Sequence, residues 1–246
     1  MKLIIDIGNT NTKIFIVENQ NIVKFFIFSN ENNFFNNNFI KEIMNFDINC
    51  CIISQVGNFI NKNFINFIYK NYKVVNFTNK SKLPIKIDYL TPETLGLDRI
   101  AAAVGASVIL PKTNVLIIDM GSAITYDILT KNNVYLGGNI SPGIKMRFKS
   151  LNNFTKNLPL IEDFDKNFDK KLYGTTTFEA IFYGVINGVT NEIIGNINAF
   201  NNTFENLNVI FTGGDIFFFE NLLKSCIFAE PNLIAFGLNK ILELNA

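Results

Sequence analysis

The chain has 246 residues, 48% of them hydrophobic, so it can bury a substantial core and is not globally disordered. It contains no histidine, which excludes imidazole bases, Ser-His-Asp nucleophile systems and His-ligated zinc sites. The net charge of +1 argues against a nucleic-acid-binding protein, and no apolar run of about 18 residues is present that could span a membrane.

The N-terminal half predicts a β-meander followed by alternating helices and strands. The chain begins with a short apolar run closed by Asp6, which is too short for a signal sequence, so we expect a cytoplasmic protein. Three strands separated by short turns are predicted up to residue 28. The elements predicted after them are a helix at 39–44, a buried strand at 49–56, a helix at 58–71, a short strand at 74–77 and a helix at 97–110 that Pro111 ends.

The second half repeats this scheme. Residues 116–125 match residues 3–12 at one offset, with an apolar triplet, an Asp (Asp6 or Asp119), a Gly two residues later and a Thr six residues after the Asp. The elements predicted next are a second meander ending near 136, helices within 177–200, a strand at 209–212 and a closing helix at 233–243. The sequence therefore predicts an α/β fold of two similar lobes, residues 1–111 and 112–246, each a mixed β-sheet with a β-meander and flanking helices, with a ligand cleft between them.

The segment 6–13 has the composition of an anion-binding turn. A glycine directly after a buried strand permits a tight turn that exposes backbone N–H groups, and Thr hydroxyls and Lys13 would add further donors. The Asp6 carboxylate would hold a hydrated Mg²⁺ that bridges phosphates. An ordinary hairpin turn is the alternative, and the second copy of the pattern favours a binding site.

The segment 96–99 precedes a helix rich in small residues. Asp98 could be only a capping carboxylate beside a solvated Arg99. In the functional interpretation Asp98 is a general base, and the Arg99 guanidinium binds an anionic substrate in a bidentate way. Glycine pairs at 137–138 and 213–214 would let the backbone approach a ligand, but neither is specific. A P-loop and a dinucleotide-binding fingerprint are both absent from the sequence.

In this order, the motifs resemble the type III pantothenate kinase family of the acetate and sugar kinase/Hsp70/actin superfamily. They are DIGNTNTK at 6–13, GLDR at 96–99, IIDMGSAITYD at 117–127, GGNISPG at 137–143, TTFEAIFYGVINGV at 176–189 and TGGD at 212–215. The resemblance implies two actin-like lobes of the ribonuclease H-like type. It also implies an enzyme that uses ATP to phosphorylate pantothenate to 4′-phosphopantothenate, the first step of coenzyme A biosynthesis.

The resemblance further implies a role for individual residues. Those that would bind the ATP phosphates and Mg²⁺ are Asp6, Ile7, Gly8, Asn9, Thr10, Asn11, Thr12 and Lys13. Asp98 would be the catalytic base, and the residues that would contact pantothenate are Tyr89, Gly96, Leu97, Asp98, Arg99 and Thr177. Asp119 resembles the ligand of a monovalent cation, K⁺ or NH₄⁺. Ser122 stands at an ATP contact that is usually Thr, a substitution that keeps the hydroxyl.

The family usually forms dimers, so the resemblance implies a homodimer that acts on a small-molecule substrate, without nucleic acid or membrane as a partner. Two alternatives remain open: another small-molecule kinase or phosphatase of the same superfamily, and a non-catalytic regulator built on the same fold. The presence of Asp6, Asp98, Arg99 and Asp119 together favours an active enzyme.

Overall fold

A computed structural model of the protein describes residues 1–31, 35–57, 61–162, 168–169, 171–218 and 228–246. The chain divides into two compact units. The first comprises Met1–Pro111, Asn133–Tyr135 and Leu233–Ala246, and the second comprises Lys112–Asn132 and Leu136–Asn232. Within the described part of the chain, no helix combines the length and the apolar character that a membrane span requires.

The first unit is built on a five-stranded mixed sheet. Its strands are β1 (Lys2–Ile7), β2 (Asn11–Glu18), β3 (Asn21–Ser29), β4 (Cys50–Gln55) and β5 (Lys73–Asn76), in the spatial order β3-β2-β1-β4-β5. The strands β1 to β3 form the predicted antiparallel meander, whereas β1, β4 and β5 run parallel. The helices of this unit are α1 (Asn37–Met44), α2 (Lys62–Asn71), α3 (Leu97–Ile109) and α6 (Leu233–Asn245), with a 3-10 turn at Pro92–Thr94.

The period-2 alternation of β1 separates two faces of this sheet. The apolar residues at its odd positions pack with α1 and α2 in one hydrophobic cluster, so Asp6 points to the opposite face. Asp6 is paired directly with Lys13 of β2 on one side and with Ser54 of β4 on the other. The three side chains therefore lie in one row across the sheet.

Helices α3 and α6 pack so closely that two glycines are required at their contact. A Cβ atom on Gly105 would collide with the Leu233 carbonyl oxygen, and one on Gly237 would collide with the Ala101 carbonyl oxygen. The structure thus groups α6 with the first unit, whereas the sequence assigns residues 112–246 to the second lobe. Helical periodicity indicates that a face is apolar but not which neighbour covers it, so the sequence pattern could not make this assignment.

Replacing Gly237 by Ala is expected to lower the free energy of unfolding by about 1–3 kcal/mol, because an added methyl group in a closely packed contact forces the two helices apart. Gly195 is a matched control, since it is an exposed helical glycine whose added Cβ would have open space. Gly195→Ala should raise the free energy of unfolding by about 0.5–1 kcal/mol. Urea unfolding of both variants measures the difference, and shifts of the same sign would contradict the close contact.

The second unit contains a second mixed sheet. Its strands are β7 (Asn114–Met120), β8 (Ala123–Leu129), β9 (Val134–Pro142), β10 (Leu207–Thr212) and β11 (Phe228–Ala229), in the order β11-β10-β7-β8-β9. The short strand β6 (Lys86–Ile87) pairs with Val134 and Tyr135 at the start of β9, residues that group with the first unit. The helices are α4 (Ile144–Asn153) and α5 (Thr177–Thr203), with a 3-10 turn at Ile216–Phe218. Apolar side chains of α4, α5 and the sheet form one core cluster.

These two mixed sheets, each with antiparallel and parallel pairs and flanking helices, confirm the predicted α/β fold. Strand β9 continues past the predicted end at 136 to Pro142. Gly138 permits this close pairing because it has no side chain, whereas a Cβ at this position would collide with the Tyr126 carbonyl oxygen. Residues 58–60 of the predicted helix at 58–71 lie outside the described residues, and α2 begins at Lys62. The ligand cleft predicted between the lobes stays a prediction.

Candidate active site

The turn between β1 and β2 is held by the side chain of Asn30, at the end of β3. The Asn30 amide nitrogen donates to the carbonyl oxygens of Gly8 (2.9 Å) and Asn9 (3.2 Å). Its amide oxygen accepts a hydrogen bond from the Thr12 hydroxyl at 2.8 Å, and its backbone N–H donates to the Thr10 carbonyl at 2.9 Å. Asn30, which the sequence analysis did not identify, therefore fixes the conformation of the whole turn.

The end of β4 supports the same turn from the other side. The backbone N–H of Val56 donates to the Ile7 carbonyl at 3.0 Å. A Cβ atom on Gly57 would lie 2.5 Å from the Gly8 carbonyl oxygen, so only a glycine allows the chain after β4 to pack this closely. Of the predicted phosphate-binding residues, Asn9, Thr10 and Asn11 are exposed, whereas the Thr12 side chain is buried and directed to Asn30.

The row of Lys13, Asp6 and Ser54 lies beside this turn. Asp6 is only 7% exposed and Ser54 is 0% exposed. Among the side chains that the structure describes, the Ser54 Oγ is the one buried polar atom without a hydrogen-bond partner. A buried hydroxyl in that state is uncommon and calls for an explanation.

The carboxylate of Asp6 lies in an unusual electrostatic environment. Burial raises the pKa of Asp6 to about 6, the positive charge of Lys13 acts in the opposite direction, and the negative charge of Asp98 raises it further. The structure thus places Asp98 close enough for its charge to act on Asp6, although the two residues are distant in sequence. That these two acids form one functional site stays a prediction.

Asp98 lies in the first turn of α3, where its negative charge is favourable. Its Oδ1 atom accepts a hydrogen bond from the Arg99 backbone N–H at 2.9 Å. A Cβ atom on Gly96 would lie 2.5 Å from the same Oδ1, so the glycine makes room for the carboxylate. Asp98 therefore has the helix-start contact of the structural alternative, and its charge also acts on Asp6; its role as a general base stays a prediction.

A cavity of about 680 Å³ opens in the first unit beside Gly96 and Leu97. Its lining residues are Gln55, Val56, Thr78, Asn79, Lys80, Glu93, Leu95, Gly96 and Leu97. This volume lies within the range of small-molecule sites. Arg99, the predicted substrate clamp, is 7% exposed, and the ring of Tyr89 packs edge-on against Tyr135 with centroids 6.2 Å apart; neither residue lines the cavity.

The corresponding turn of the second unit is one residue shorter than the first. The Gly121 N–H donates to the Ala123 carbonyl (3.0 Å), whereas the Gly8 N–H donates to the carbonyl of Asn11 (3.0 Å). As a result, Asp119 is paired with Thr125, while Asp6 is paired with Lys13. The sequence repeat aligns Thr125 with Thr12, but in the sheet Thr125 occupies the position of Lys13. The sequence repeat does not reveal this one-residue shift in strand pairing, because the spacing from Asp to Thr is the same in both copies.

The glycine-rich segment after β10 packs against Asp119. Gly213 has a φ of +98°, a conformation that favours glycine, and a Cβ atom there would lie 2.5 Å from the Asp119 Oδ1. The backbone N–H of Asp215 donates to the Met120 carbonyl at 2.9 Å. Gly213 thus lets the backbone approach the half-buried side chain of Asp119, and the predicted approach of this glycine pair to a ligand stays a prediction.

A hydrogen-bond cluster around Glu192 of α5 supports the second turn. Glu192 accepts hydrogen bonds from the Tyr126 hydroxyl (2.8 Å), the Ser141 hydroxyl and the Arg147 guanidinium. Burial opposes the ionised form, but these hydrogen bonds outweigh it and lower the pKa of Glu192. The Arg147 Nε also donates to the Pro142 carbonyl at 2.8 Å. The residue that follows Pro142 in the chain contacts the second turn.

That residue is Gly143. Its backbone N–H donates to the Ser122 carbonyl at 3.1 Å, so the Glu192 cluster and the exposed Ser122 turn are linked through two consecutive residues of the chain. Glu192 lies outside the sequence motifs, whereas Ser141 and Gly143 belong to the motif at 137–143. Thr177 is the exposed first residue of α5, and its role at the substrate stays a prediction.

The oxygen donors of the first unit fit a magnesium ion. Within the described ranges, no group of three or more His, Cys, Asp or Glu side chains is arranged as a metal cage, but Mg²⁺ is usually held by one or two carboxylates and keeps several waters. Asp6, with the charge of Asp98 acting on it, provides a carboxylate of this kind, and the unpaired Ser54 hydroxyl lies beside Asp6 in the sheet. A ligand role of Asp119 for a monovalent cation stays a prediction.

Sequence comparisons with known proteins point to one family. The sequence model of the type III pantothenate kinase family matches residues 2–199. A type III pantothenate kinase from Christiangramia forsetii is 42% identical over 247 residues, which cover 100% of this chain and 99% of the relative. Another from Flavobacterium johnsoniae is 38% identical over 242 residues, covering 98% of this chain and 96% of that relative.

Solved structures give the same fold. A Campylobacter jejuni protein described as a Baf family transcriptional activator has a TM-score of 0.61 and 26% identity, with coverage of 98% of this chain and 97% of that one. The activator of 2-hydroxyisocaproyl-CoA dehydratase from Clostridium difficile, with bound ADPNP, has a TM-score of 0.55 and 14% identity, with coverage of 98% and 96%; this second similarity concerns the fold alone. From the family match and the full-length relatives it follows that the chain belongs to the type III pantothenate kinase family.

Proposed function

We propose that this protein uses ATP to phosphorylate the 4′-hydroxyl of pantothenate, the first step of coenzyme A biosynthesis. The observation that carries the proposal is the position of Asp98, which interacts with the buried Asp6 and follows directly after Gly96 and Leu97 at the cavity. A group placed in this way can act on a substrate hydroxyl while the other carboxylate holds the metal. Family membership supplies the substrate.

The first turn is the proposed site of the ATP phosphates. The exposed residues Asn9, Thr10 and Asn11 offer backbone and side-chain donors, and Lys13 offers a positive charge in the same row as Asp6. The buried Thr12 acts indirectly, because its hydroxyl is engaged with Asn30. When bound at Asp6, Mg²⁺ would neutralise charge on the β- and γ-phosphate oxygens, as in other phosphoryl-transfer enzymes.

Asp98 is the proposed general base. The Arg99 N–H fixes its Oδ1 atom, which orients the carboxylate, and the charge of Asp6 nearby favours uptake of a proton by one member of the pair. Arg99 is the proposed clamp for the pantothenate carboxylate, with Tyr89, Gly96, Leu97 and Thr177 as further contacts. Phosphoryl transfer needs positioning and charge neutralisation more than covalent chemistry by the protein, which suits a site without histidine.

The second unit is proposed to contribute to ATP and cation binding. Ser122 would contact ATP, and Asp119 would bind K⁺ or NH₄⁺ beside the Gly213 backbone. We also propose that the protein functions in the cytoplasm as a homodimer, as the family resemblance implies. Size-exclusion chromatography with light scattering tests the dimer, since a monomeric active enzyme would contradict it.

An acceptor screen tests the proposed function against its alternatives. The protein is incubated with MgATP and either pantothenate or a panel of hexoses, in K⁺, NH₄⁺ and Na⁺ buffers, and ADP release is measured. We expect ADP release with pantothenate and with K⁺ or NH₄⁺. Release with a sugar alone would indicate another kinase of the superfamily. Binding of ATP without turnover of any acceptor would indicate a regulator, the activity class in the description of the Campylobacter jejuni relative.

The contacts of Asn30 predict a selective effect on nucleotide binding. Asn30→Ala removes three side-chain hydrogen bonds that hold the turn, and we expect KM for ATP to rise about 10-fold or more, with KM for pantothenate unchanged. Thr12→Val should act in the same direction, and the double variant should be less impaired than the sum of the two, because both residues share one hydrogen bond. Asn71→Ala, an exposed Asn elsewhere in the first unit, is the control. Additive effects would contradict the shared contact.

A further inference from the structure

The buried hydroxyl of Ser54 makes no hydrogen bond in this structure. The residue is 0% exposed and its Oγ has no hydrogen-bond partner. Leaving a buried hydroxyl unpaired costs stability, whereas an alanine at the same place would carry no such cost. A serine retained under these conditions is expected to form its hydrogen bond in another state of the protein.

The register of the sheet limits what that partner can be. Ser54 is paired directly with Asp6 in the parallel β1–β4 ladder, so the two side chains share a face of the sheet and are immediate neighbours. Ile53, the preceding residue, belongs to the cluster on the opposite face. Ser54 is not among the residues that line the cavity, although Gln55 and Val56 are. The side chain is thus placed for a neighbour within the sheet and not for a molecule in the cavity.

We infer that Ser54 is a positioning residue for Asp6: its hydroxyl donates a hydrogen bond to the Asp6 carboxylate when that carboxylate holds the magnesium ion of the nucleotide. The inference rests on the proposed function. Carboxylates that bind metals are themselves held by hydrogen bonds from outer residues, and losing such a residue typically weakens metal binding by about 10- to 100-fold. Only side-chain rotation is needed to form this bond, since the two residues already face each other.

The inference predicts opposite effects of Ser54→Ala on stability and on metal binding. The melting temperature of the ligand-free protein should rise by about 2–4 °C, because an unpaired buried hydroxyl is removed. With a saturating non-hydrolysable ATP analogue, the Mg²⁺ concentration that gives half of the maximal thermal stabilisation should rise about 10-fold. Stabilisation by the same analogue without Mg²⁺ should be unchanged.

Thr12→Val is the matched control for stability. Its hydroxyl is equally buried, at 1% exposure, but is paired with Asn30, so its removal should lower the melting temperature of the ligand-free protein. A Ser54→Ala protein with a lowered melting temperature or an unchanged Mg²⁺ requirement would overturn the inference, because Ser54 would then serve the fold alone.

The test is separable from that of the proposed function. Both readouts are thermal and need no pantothenate. A protein that forms no phosphopantothenate but shows the Ser54→Ala response would refute the proposed reaction and support the positioning role. A wild-type protein whose stabilisation by the analogue does not depend on Mg²⁺ would refute the metal role of Asp6 and with it the inference about Ser54.

Discussion

Asp98→Asn is expected to lower kcat for pantothenate phosphorylation by about 10²–10⁴-fold, the usual contribution of a general base. Asparagine keeps an oxygen that can accept the Arg99 N–H now bonded to the Asp98 Oδ1, and it fits the space provided by Gly96. The helix start and the fold should therefore be preserved. Steady-state kinetics with ATP and pantothenate measure the effect, with circular dichroism as the check on folding.

Glu18→Gln is the matched control for this variant. Glu18 is an exposed carboxylate at the end of β2 and has no part in the proposed reaction. Its neutralisation should leave kcat equal to that of the wild type within experimental error. A folded Asp98→Asn enzyme with turnover close to that of the wild type would remove Asp98 from the role of base.

Asp6→Asn should abolish the magnesium dependence of nucleotide binding. The substitution removes the buried carboxylate of the Lys13–Asp6–Ser54 row while keeping its size, so the sheet should form as before. We expect kcat/KM for MgATP to fall by about 10²–10³-fold, the range found when one electrostatic group of a transition-state site is lost. Titration calorimetry with the ATP analogue, with and without Mg²⁺, measures the loss; retained Mg²⁺-dependent binding would contradict the assignment.

The same substitution predicts a pH-dependent change in stability. The pKa of Asp6 is raised from 3.8 to about 6, chiefly by burial, so the folded ligand-free protein holds a proton that the unfolded chain has lost. Stability from this group therefore falls as the pH rises from about 4 to about 6, and above that the ionised carboxylate destabilises the fold by up to about 3 kcal/mol.

Asp6→Asn removes this penalty. Melting temperatures of the ligand-free variant and wild type should coincide near pH 4, move apart between about pH 4 and pH 6, and stay apart at higher pH, with the variant more stable. Groups that do not interact with Asp6 contribute equally to both proteins, so the difference between the two curves reports Asp6 together with its interactions with Lys13 and Asp98. A difference that does not vary with pH would contradict the raised pKa.

The parts of the fold that depend on local pattern could be predicted from the sequence. The apolar run of β1, the turn at Gly8, the alternating strand after it and the repeat at Asp119 predict the two meanders. Pro111 predicts the end of the helix at 97–110 within one residue of the observed end of α3 at Ile109. Contacts between distant segments could not be predicted. The close approach at Gly105 and Gly237 places α6 with the first unit, and no periodicity encodes that choice of neighbour.

The residues of the candidate site also fall into two groups, those that the sequence predicts and those that only the structure identifies. Asp6, Lys13 and Asp98 belong to motifs with meaningful spacing, and the structure brings the charges of all three into interaction. Asn30 and Ser54 are single polar residues far from those motifs, in a chain where Asn is abundant, and only the sheet register reveals their neighbours. The chemistry is visible in the sequence, whereas the residues that hold it in place are visible only in three dimensions.

The formation of 4′-phosphopantothenate from ATP and pantothenate tests the central claim most directly. Purified protein is incubated with both substrates, Mg²⁺ and K⁺, and the products are separated and identified by mass spectrometry. The account predicts one 4′-phosphopantothenate for each ADP with the wild-type protein, and almost none with Asp98→Asn. Equal product formation by the two proteins, or ADP release without phosphorylated pantothenate, would contradict it.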